Sequence, residues 1–554
     1  MNSGPVYPAR MIAPRENRSL VVQPKVSKLE SVCDANQSIL TSTDYSFQGK
    51  TLNELRLLAH SYILRAGTDW AESVEIRTPT SSHLHYSIEP EKTNSEIPKP
   101  VLIVGHQPEF FHPGVWVKNI VVSALAQRLG MIPLNLIVDN DLVKNKSLRV
   151  PSGSPEKPSY LDIPFDKWTQ ALPFEQTHVH DFPLFESFAD RTREAIRNFS
   201  SNPLLSSIWP RVIDGVKKQF PLGVCFARPR IETEREWGYG CLELPISRIA
   251  EHDSFLWFFC HLIAQLPRFH TEYNTALHLY RKRHRIRNSG QPVSALQKED
   301  QWYEAPFWVV SPKGTQRDRL FVRHTAQEVI LRGQHQELGR LPLGPEQDAR
   351  YAVEILQSLQ NEGLSFRPRA LTTTLFARTI LGDLFFHGIG GAKYDELTDH
   401  LIEQFFGMSP PHFVTLTATL HLSDGPRFPE AANQVRQCEH QLRDLHWNPD
   451  RHLDQQDRSN PELTPIIARK QALSRTNPES SDQQRKQFTE IRKINAQIRK
   501  TVHTRREETR RRLQTLRLQE TAHRFLIYRE FPFCLYSMEK LRSFFDEICQ
   551  FRTP

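Results

Sequence analysis

Two short polar segments in the first half of the chain carry residues that could do chemistry. The first is Gly105-His106-Gln107 and the second is Asp139-Asn140-Asp141. A histidine can move protons near neutral pH, and an aspartate can act as a general base, bind a substrate amine or hold the Mg²⁺ that accompanies nucleotide phosphates. The same residues also occur in ordinary turns and helix caps. Residue type alone therefore leaves a functional and a structural interpretation open.

The elements around these segments predict where they lie. Val101–Val104 is an apolar run typical of a buried parallel strand, Gly114–Leu129 has the apolar spacing of a helix, and Leu134–Val138 is a second candidate strand. This pattern predicts a βαβ unit. Ligands of open parallel sheets bind beyond the carboxyl ends of the strands. Both polar segments would lie at that edge.

This edge of the sheet could bind an anionic ligand. Gly105 would let a ligand approach the backbone closely. The helix that starts near Gly114 would offer free N–H groups and the positive end of its dipole, with Lys118 one turn further along. A nucleotide phosphate placed there could also contact His106. The alternative is a plain connection between a strand and a helix.

A second glycine-rich segment follows the apolar run that ends at Phe386. It contains His387, Gly388, Gly390 and Gly391. Glycines with positive φ can expose N–H groups as an anion-binding nest, or they can end a helix. His387 could act as an acid or a base, or it could be structural.

Two further segments indicate nucleotide binding. His112-Pro113-Gly114-Val115 resembles part of the His-x-Gly-His signature of nucleotidyltransferases and class I tRNA synthetases, although the second histidine is missing. Lys144-Asn145-Lys146-Ser147 resembles their lysine-serine loop. A nucleotidyltransferase-like enzyme is thus one alternative.

Composition narrows the class of protein. The 554 residues carry a formal net charge of +8, and the seven cysteines include no CxxC pair, so neither a disulfide framework nor a zinc site is expected. The N-terminus has no apolar stretch of the kind found in secretory signals, and no run of about 18 apolar residues predicts a membrane span. We expect a cytoplasmic protein that binds a small anionic substrate and no membrane.

Changes in composition predict the domain organisation. Residues 1–50 are expected to be irregular, residues 51–425 to form an α/β core with a connecting segment, residues 426–530 to form a helical arm, and residues 531–554 to form a C-terminal segment. Within the core, Trp302–Arg323 has the pattern of a hairpin with its turn at Pro312-Lys313-Gly314.

The predicted arm consists of two antiparallel helices, Ala431–Leu445 and Asp482–Ile527. The second helix has a narrow apolar stripe typical of a coiled-coil seam, formed by Phe488, Ile491, Ile494, Ile498 and Val502. Its basic flank could contact nucleic acid. Apart from Phe488 of the apolar stripe, the basic stretch has no Phe, Tyr or Trp for base stacking, which favours a solvated flank instead. Nucleic acid is therefore not an expected partner.

Several of these segments together resemble the bacillithiol-biosynthesis cysteine-adding enzymes (BshC). Gly105–Phe111 is similar to that family's Gly-Gln-Gln-x-Gly-Leu-Phe loop, and Asp139-Asn140-Asp141 is similar to its Asp-His-Asp. Phe307–Leu320, with Arg317 and Arg319, is similar to a family hairpin, and Leu364–Gly391 is similar to a later segment that ends in Gly-Gly. The segments occur in the family's order and are followed by the helical arm.

The resemblance implies a Rossmann-like parallel-sheet core with an antiparallel coiled-coil arm, assembled as a homodimer. It implies a ligase that joins cysteine to the amine of glucosaminyl-malate, with ATP or ADP and Mg²⁺ as the candidate cofactor. His106, Asp139 and Asp141 would be catalytic, and Asn140, Arg367 and His387 would bind substrate. The candidate cofactor-binding residues are Gly105, Gln107, Gly114, Lys118, Gly390 and Gly391; no protein metal ligand is assigned.

The chain departs from the family pattern within these segments. His106 replaces a glutamine, Glu109 replaces a glycine, Asn140 replaces a histidine, and Tyr394 lies near the place of a family glutamate. The alternative is a non-catalytic paralogue that keeps the fold and acts as a nucleotide-binding or scaffold protein.

Overall fold

The computed structural model describes residues 11–76, 99–311, 317–334, 336–425 and 427–550. Its contacts divide the chain into two units. The first is drawn from Met1–Val150, Asp162–Leu420 and Arg529–Pro554, and the second from Pro151–Leu161 and His421–Tyr528.

A mixed sheet forms the centre of the first unit. Its six strands are β1 (Ser19–Gln23), β2 (Val101–His106), β3 (Ile132–Ile137), β4 (Leu242–Pro245), β5 (Leu384–His387) and β6 (Phe413–Thr419). Their order across the sheet is β1-β6-β5-β2-β3-β4. Strands β2 to β6 are parallel, and β1 pairs antiparallel with β6 at the edge. From β2, the chain adds β3 and then β4 on one side of the sheet. It then returns to add β5 and β6 on the other side, so the strand order reverses between β2 and β5.

Helices pack around this sheet. They include α1 (Leu29–Ser42), α2 (Leu52–Ser73), α3 (Pro113–Leu129), α4 (Leu222–Glu236), α5 (Asp253–Ala264) and α6 (Ile389–Gln404). The other helical segments of this unit are Phe182–Glu186, Phe188–Ile196, Leu204–Lys217, Ile246–Ile249, Leu266–His284, Arg350–Asn361, Ala370–Phe376, a π-helical turn at Ala377–Leu381, and Met538–Cys549.

The predicted βαβ unit is confirmed as β2-α3-β3. Helix α3 starts with Pro113, which has no N–H to satisfy, and it ends at Gly130 in the left-handed conformation (φ 67°). Strands β2 and β3 pair in parallel from Val101 opposite Ile132 to His106 opposite Ile137. Both strands are almost entirely buried, as their apolar runs indicate.

A second sheet is antiparallel and includes the predicted hairpin. Its strands, in spatial order, are Glu337–Leu341, Val329–Arg332, Arg317–His324, Trp302–Val310 and Ser365–Pro368, with Lys298–Glu299 beside Trp302–Val310. The predicted turn Pro312-Lys313-Gly314 lies outside the described residues. Two shorter pairs complete the strands: Ser46–Phe47 with Lys50–Thr51, and Ser147–Ser154 with Lys157–Pro164.

The expectation that residues 1–50 are irregular is wrong for most of the described part. Strand β1 and helix α1 lie there, and α1 buries Cys33, Asn36 and Leu40. Asn36 donates to the backbone oxygens of Asp383 and His412, both more than 340 residues away. These long-range contacts stabilise a segment whose local sequence carries little periodicity.

The second unit is helical apart from Pro151–Leu161, which belongs to the strand pair Ser147–Ser154 and Lys157–Pro164. It contains α7 (Ala431–Trp447), α8 (Thr464–Arg475), α9 (Ser481–Thr501) and α10 (His503–Leu526), with short turns at Pro449–His452 and Gln455–Arg458. Asn495 of α9 donates to the Trp447 carbonyl, and Arg517 of α10 pairs with Glu439, so α7 runs antiparallel to α9 and α10. The long helix expected over Asp482–Ile527 is divided at Val502.

The apolar stripe of α9 is only partly buried. Ile494, Ile498 and Val502 form a core with Leu445 and Leu453. Ile491 is half-buried and Phe488 is 54% exposed. The stripe therefore becomes a core only toward the C-terminal end of α9.

None of the helices in the described ranges combines the length and the apolar character that a membrane span requires.

We expect Ile498→Asp to destabilise the helical unit strongly, because Ile498 is fully buried and a carboxylate there has no partner. The loss should be at least about 3 kcal/mol, the usual cost of an uncompensated buried charge. Circular dichroism during thermal unfolding measures it. Gln497→Asp adds the same charge at an exposed neighbouring position and is the control; equal melting of the two variants would contradict this core.

Candidate functional site

Residues from four segments meet at the carboxyl edge of β2 and β3. The Gln107 side chain donates to Asp141 Oδ2 over 3.2 Å. Arg317 donates to the Asn140 carbonyl (2.7 Å) and lies 3.4 Å from Asp141 Oδ1. Asn140 donates to the Pro368 carbonyl over 2.8 Å. The loop after β2 and the aspartate segment thus meet the hairpin segment, through Arg317, and the Leu364–Gly391 segment, through Pro368.

A pair of arginines lies beside this contact. The guanidinium groups of Arg317 and Arg369 are 4.4 and 4.2 Å from the centre of the Trp308 ring, a geometry that favours cation–π attraction. Arg369 also pairs with the buried Glu304 at 2.7 Å. These contacts hold Arg317 in position against Asp141.

A cleft of about 490 Å³ opens at the carboxyl ends of β3 and β4. Its volume is in the range of small-molecule sites. Its apolar wall includes Trp70, Phe174, Phe220 and Val224. Its polar groups are those of Asp139, Glu175, Ser247, Arg248, Glu251 and Arg367.

Asp139 is the buried acid of this cleft. Its carboxylate accepts from the Ser247 backbone N–H (3.0 Å) and from the Ser247 hydroxyl (2.5 Å). Burial and then the negative charge of Glu175 raise the pKa of Asp139 from 3.8 to about 7, against the opposing effects of Ser247 and Arg367. A carboxyl group with a pKa near 7 can both take up and release a proton at neutral pH.

Arg367 links the other two carboxylates of the cleft. It makes a forked contact with Glu175 at 2.9 to 3.1 Å and lies 3.4 Å from Glu251. The predicted substrate-binding Arg367 is therefore occupied mainly by protein carboxylates. Arg248 is the more exposed of the two cleft arginines: its side chain is 58% exposed, against 6% for Arg367.

The His106 side chain faces the interior, not the cleft. Its Nε2 lies 3.0 Å from Asn119 Oδ1, and Asn119 belongs to a buried network that runs through Glu234, Arg230 and Glu243. Burial, and then the charges of Arg230 and Lys118, lower the pKa of His106 well below its ordinary value. Because side chains alternate along a strand, it is Gln107 that reaches Asp141. A proton-transfer role for His106 therefore lacks geometric support.

Gly105 and Gly114 are needed for packing. A Cβ on Gly105 would lie 3.3 Å from Leu136 Cβ, and a Cβ on Gly114 would lie 2.2 Å from the Ala418 carbonyl. The Gly114 N–H is donated to His112 Nδ1 (3.1 Å), which caps α3. This N–H is therefore not free for a phosphate, contrary to the expectation from the sequence. Lys118, in contrast, is buried on α3.

The Gly388–Gly391 segment begins a helix. Gly388 caps α6, and Gly390 and Gly391 lie in its first turn; none of the three has positive φ, so neither a left-handed nest nor a helix C-cap forms. A Cβ on Gly391 would lie 2.7 Å from His387 Nδ1. His387 Nε2 is 2.7 Å from Asp395, which also pairs with the buried Arg378. The His387 side chain therefore faces an internal carboxylate.

A Mg²⁺ shared by Asp139 and Asp141 does not fit these contacts. Asp139 accepts from Ser247, whereas Asp141 accepts from Gln107 and from the Leu142 N–H beside the Arg317 cation. Within the described ranges, no three His, Cys, Asp or Glu side chains come together as metal ligands would.

Several residues of the cleft were not among the sequence candidates. Ser247 follows β4, whose Leu-Glu-Leu-Pro sequence could have been recognised as a short strand with a polar residue beyond its end. Glu175 lies outside any regular element, so no periodicity identifies it. Glu251 and Arg248 also line the cleft, and only the folding of the chain brings them there.

Comparison with models of known protein families gives no match, and a search of curated protein sequences gives none either.

We expect His106→Ala to destabilise the first unit by about 2–4 kcal/mol, because it leaves a cavity and removes the partner of Asn119. Urea unfolding measures the loss. His178→Ala, at an exposed position, is the control and should change stability by less than about 0.5 kcal/mol. A His106→Ala variant as stable as the wild type would contradict the structural role of the buried contact with Asn119.

The raised pKa of Asp139 makes its contribution to stability depend on pH. The folded protein holds this proton more tightly than the unfolded chain, so the stabilisation is complete below about pH 4 and is lost as pH rises toward 7. Asp139→Asn does not titrate. We therefore expect the stability difference, variant minus wild type, to move in favour of the variant between about pH 4.5 and about pH 8.

Chemical unfolding at several pH values measures this difference. Asp162→Asn is the control, because the hydrogen bond and the charge of Arg149 lower the pKa of Asp162. Its stability difference should therefore stay constant over the same range. A constant difference for Asp139→Asn would show that its carboxyl group titrates normally.

Proposed function

We propose that this chain is an amide-forming ligase similar to BshC, which joins cysteine or a similar amino acid to the amine of a glucosaminyl-malate-type acceptor. One observation carries the proposal. The segments that resemble the family are far apart in sequence, yet Gln107 and Arg317 both contact Asp141. Asp139, two residues before Asp141, lines the same cleft as Arg367. A chance resemblance in separate patches has no reason to converge in space.

The sheet supports a Rossmann-like assignment. Its strand order reverses between β2 and β5, as in doubly wound α/β folds, where ligands bind outside the carboxyl ends of the strands. The antiparallel helices of the second unit support the proposed coiled-coil arm. We extend the proposal to a homodimer on the family resemblance alone.

Asp139 would act as the general base. An amine acceptor arrives mainly as an ammonium ion, and it must lose a proton before its nitrogen can attack a carboxyl carbon. Asp139 can take that proton because its pKa lies near 7. The C–N bond then forms as the C–O bond to the leaving group breaks. ATP, as co-substrate, would supply the activation of that carboxyl group.

The other groups of the cleft would hold the substrates. Ser247 fixes the Asp139 carboxylate through two hydrogen bonds. Arg248 could neutralise an acceptor carboxylate at the cleft, and the aromatic wall would exclude water from the reacting groups.

A non-catalytic binding or scaffold protein with the same fold is the second candidate. The observation that favours it is the buried position of His106, which stands where the family has a glutamine and does not reach the cleft.

We expect Asp139→Asn to lower turnover at least about 100-fold, the usual contribution of a general base, while acceptor affinity changes little. Turnover of the wild type should rise with pH through about 7 as Asp139 loses its proton. The assay supplies ATP, Mg²⁺, cysteine and glucosaminyl-malate and detects the amide by mass spectrometry.

Asp162→Asn, outside the cleft, is the control and should turn over like the wild type. If the wild type binds nucleotide but forms no amide with any amino acid tested, the ligase proposal fails and the scaffold takes its place.

A further inference from the structure

Lys118 is an exception among the buried cations of the described residues. The six other buried arginines and lysines each pair with a carboxylate: Arg56, Arg228, Arg230, Arg367, Arg378 and Lys470. Lys118 is only 5% exposed, yet within the described ranges its ammonium group has no hydrogen bond or ion pair. Burial lowers its pKa from 10.5 to about 8, so it remains mostly charged at pH 7. A buried charge without a partner is costly.

The neighbours of Lys118 are also donors. The charges of Arg529 and Lys118 add to burial in lowering the pKa of His112 to about 3, which places both cations near this ring. Neutral His112 accepts from Gly114 through Nδ1, so its proton is on Nε2. No described residue accepts from that nitrogen. We call Lys118, His112 and Arg529 the α3 basic cluster.

Arg529 is held over the start of α3. Its Nη2 donates to Thr417 Oγ1 over 2.8 Å, and a Cβ on Gly114 would lie only 2.6 Å from that Nη2. Its Nε is buried and has no hydrogen-bond partner among the described residues. Gly114 and Lys118 are four residues apart and share one face of α3, so the cluster lies together at the positive end of the helix dipole.

We propose that the α3 basic cluster binds one phosphate group. Lys118, Arg529 Nε and His112 Nε2 would donate to its oxygens, and its charge would take the place of the carboxylate that each other buried cation has. Lysine, arginine and histidine N–H groups form charge-assisted hydrogen bonds of the kind that bind phosphate. This site lies outside the Asp139 cleft, and it would stand even if the chain formed no amide bond.

Lys118→Met tests the proposal, because it removes the charge and keeps an apolar stem of similar length. In phosphate-free buffer we expect the variant to melt above the wild type, since an uncompensated buried charge is gone. Saturating inorganic phosphate should raise the melting temperature of the wild type by about 5 °C and leave the variant unchanged. Arg128→Met removes an exposed charge from the same helix and should respond like the wild type.

Calorimetric titrations with inorganic phosphate and with ADP show whether the bound phosphate group belongs to a nucleotide or is free phosphate. Tighter binding of ADP than of phosphate would indicate a nucleotide, and equal binding would indicate free phosphate. Arg529→Gln should weaken binding of either at least about tenfold, which keeps the test valid if Lys118→Met does not fold. The proposal is overturned if neither ligand binds the wild type, or if phosphate stabilises Lys118→Met as much as the wild type.

Discussion

Arg230 lies between the carboxylates of Glu234 and Glu243, at 2.8 Å from each, with all three side chains almost completely buried. Glu234 also accepts from the Trp116 indole of α3, and Glu243 accepts from Asn135 of β3. This one cation thereby connects α4, β4, α3 and β3. Removing one partner from such a pairing typically costs about 3–5 kcal/mol, because the remaining charge stays buried. The carboxyl ends of β3 and β4, and the cleft between them, depend on these four elements keeping their places.

The network also explains the position of His106. Asn119 bonds to both His106 and Glu234, so the imidazole completes the polar interior of the βαβ unit. A buried polar network is stabilising when its members are satisfied and expensive when they are not. His106 is better understood as part of the support beneath the edge than as a group that meets substrate.

Asp139 and Lys118 depart from this rule of paired charges, and they do so in different ways. Burial, and then the nearby acid Glu175, raise the pKa of Asp139. Lys118 has no carboxylate partner among the residues that the structure describes. Groups whose burial is not offset by a protein partner are common at functional sites, where a ligand or a reacting proton supplies what is missing. The polar interior thus contains arginines that are paired with carboxylates and two residues, Asp139 and Lys118, whose charges are not offset in that way.

The sequence alone determined the βαβ unit and the edge at which polar residues collect. Apolar runs, helical spacing and Gly130 are local signals, and they predicted β2, α3 and β3 to within two residues at most ends. They also predicted the hairpin strands and two of the antiparallel helices. Local signals suffice here because each element is specified by its own periodicity and its own terminal residues.

Only the tertiary structure decided which side chains face one another. It turned His106 inward and Gln107 outward, made Gly388–Gly391 the start of α6, and ordered α1 through contacts with residues far along the chain. It also brought Glu175 and Ser247 to Asp139 and left Lys118 without a carboxylate. These outcomes depend on which distant segments pack together and how much water they exclude. No local pattern of residues records that information.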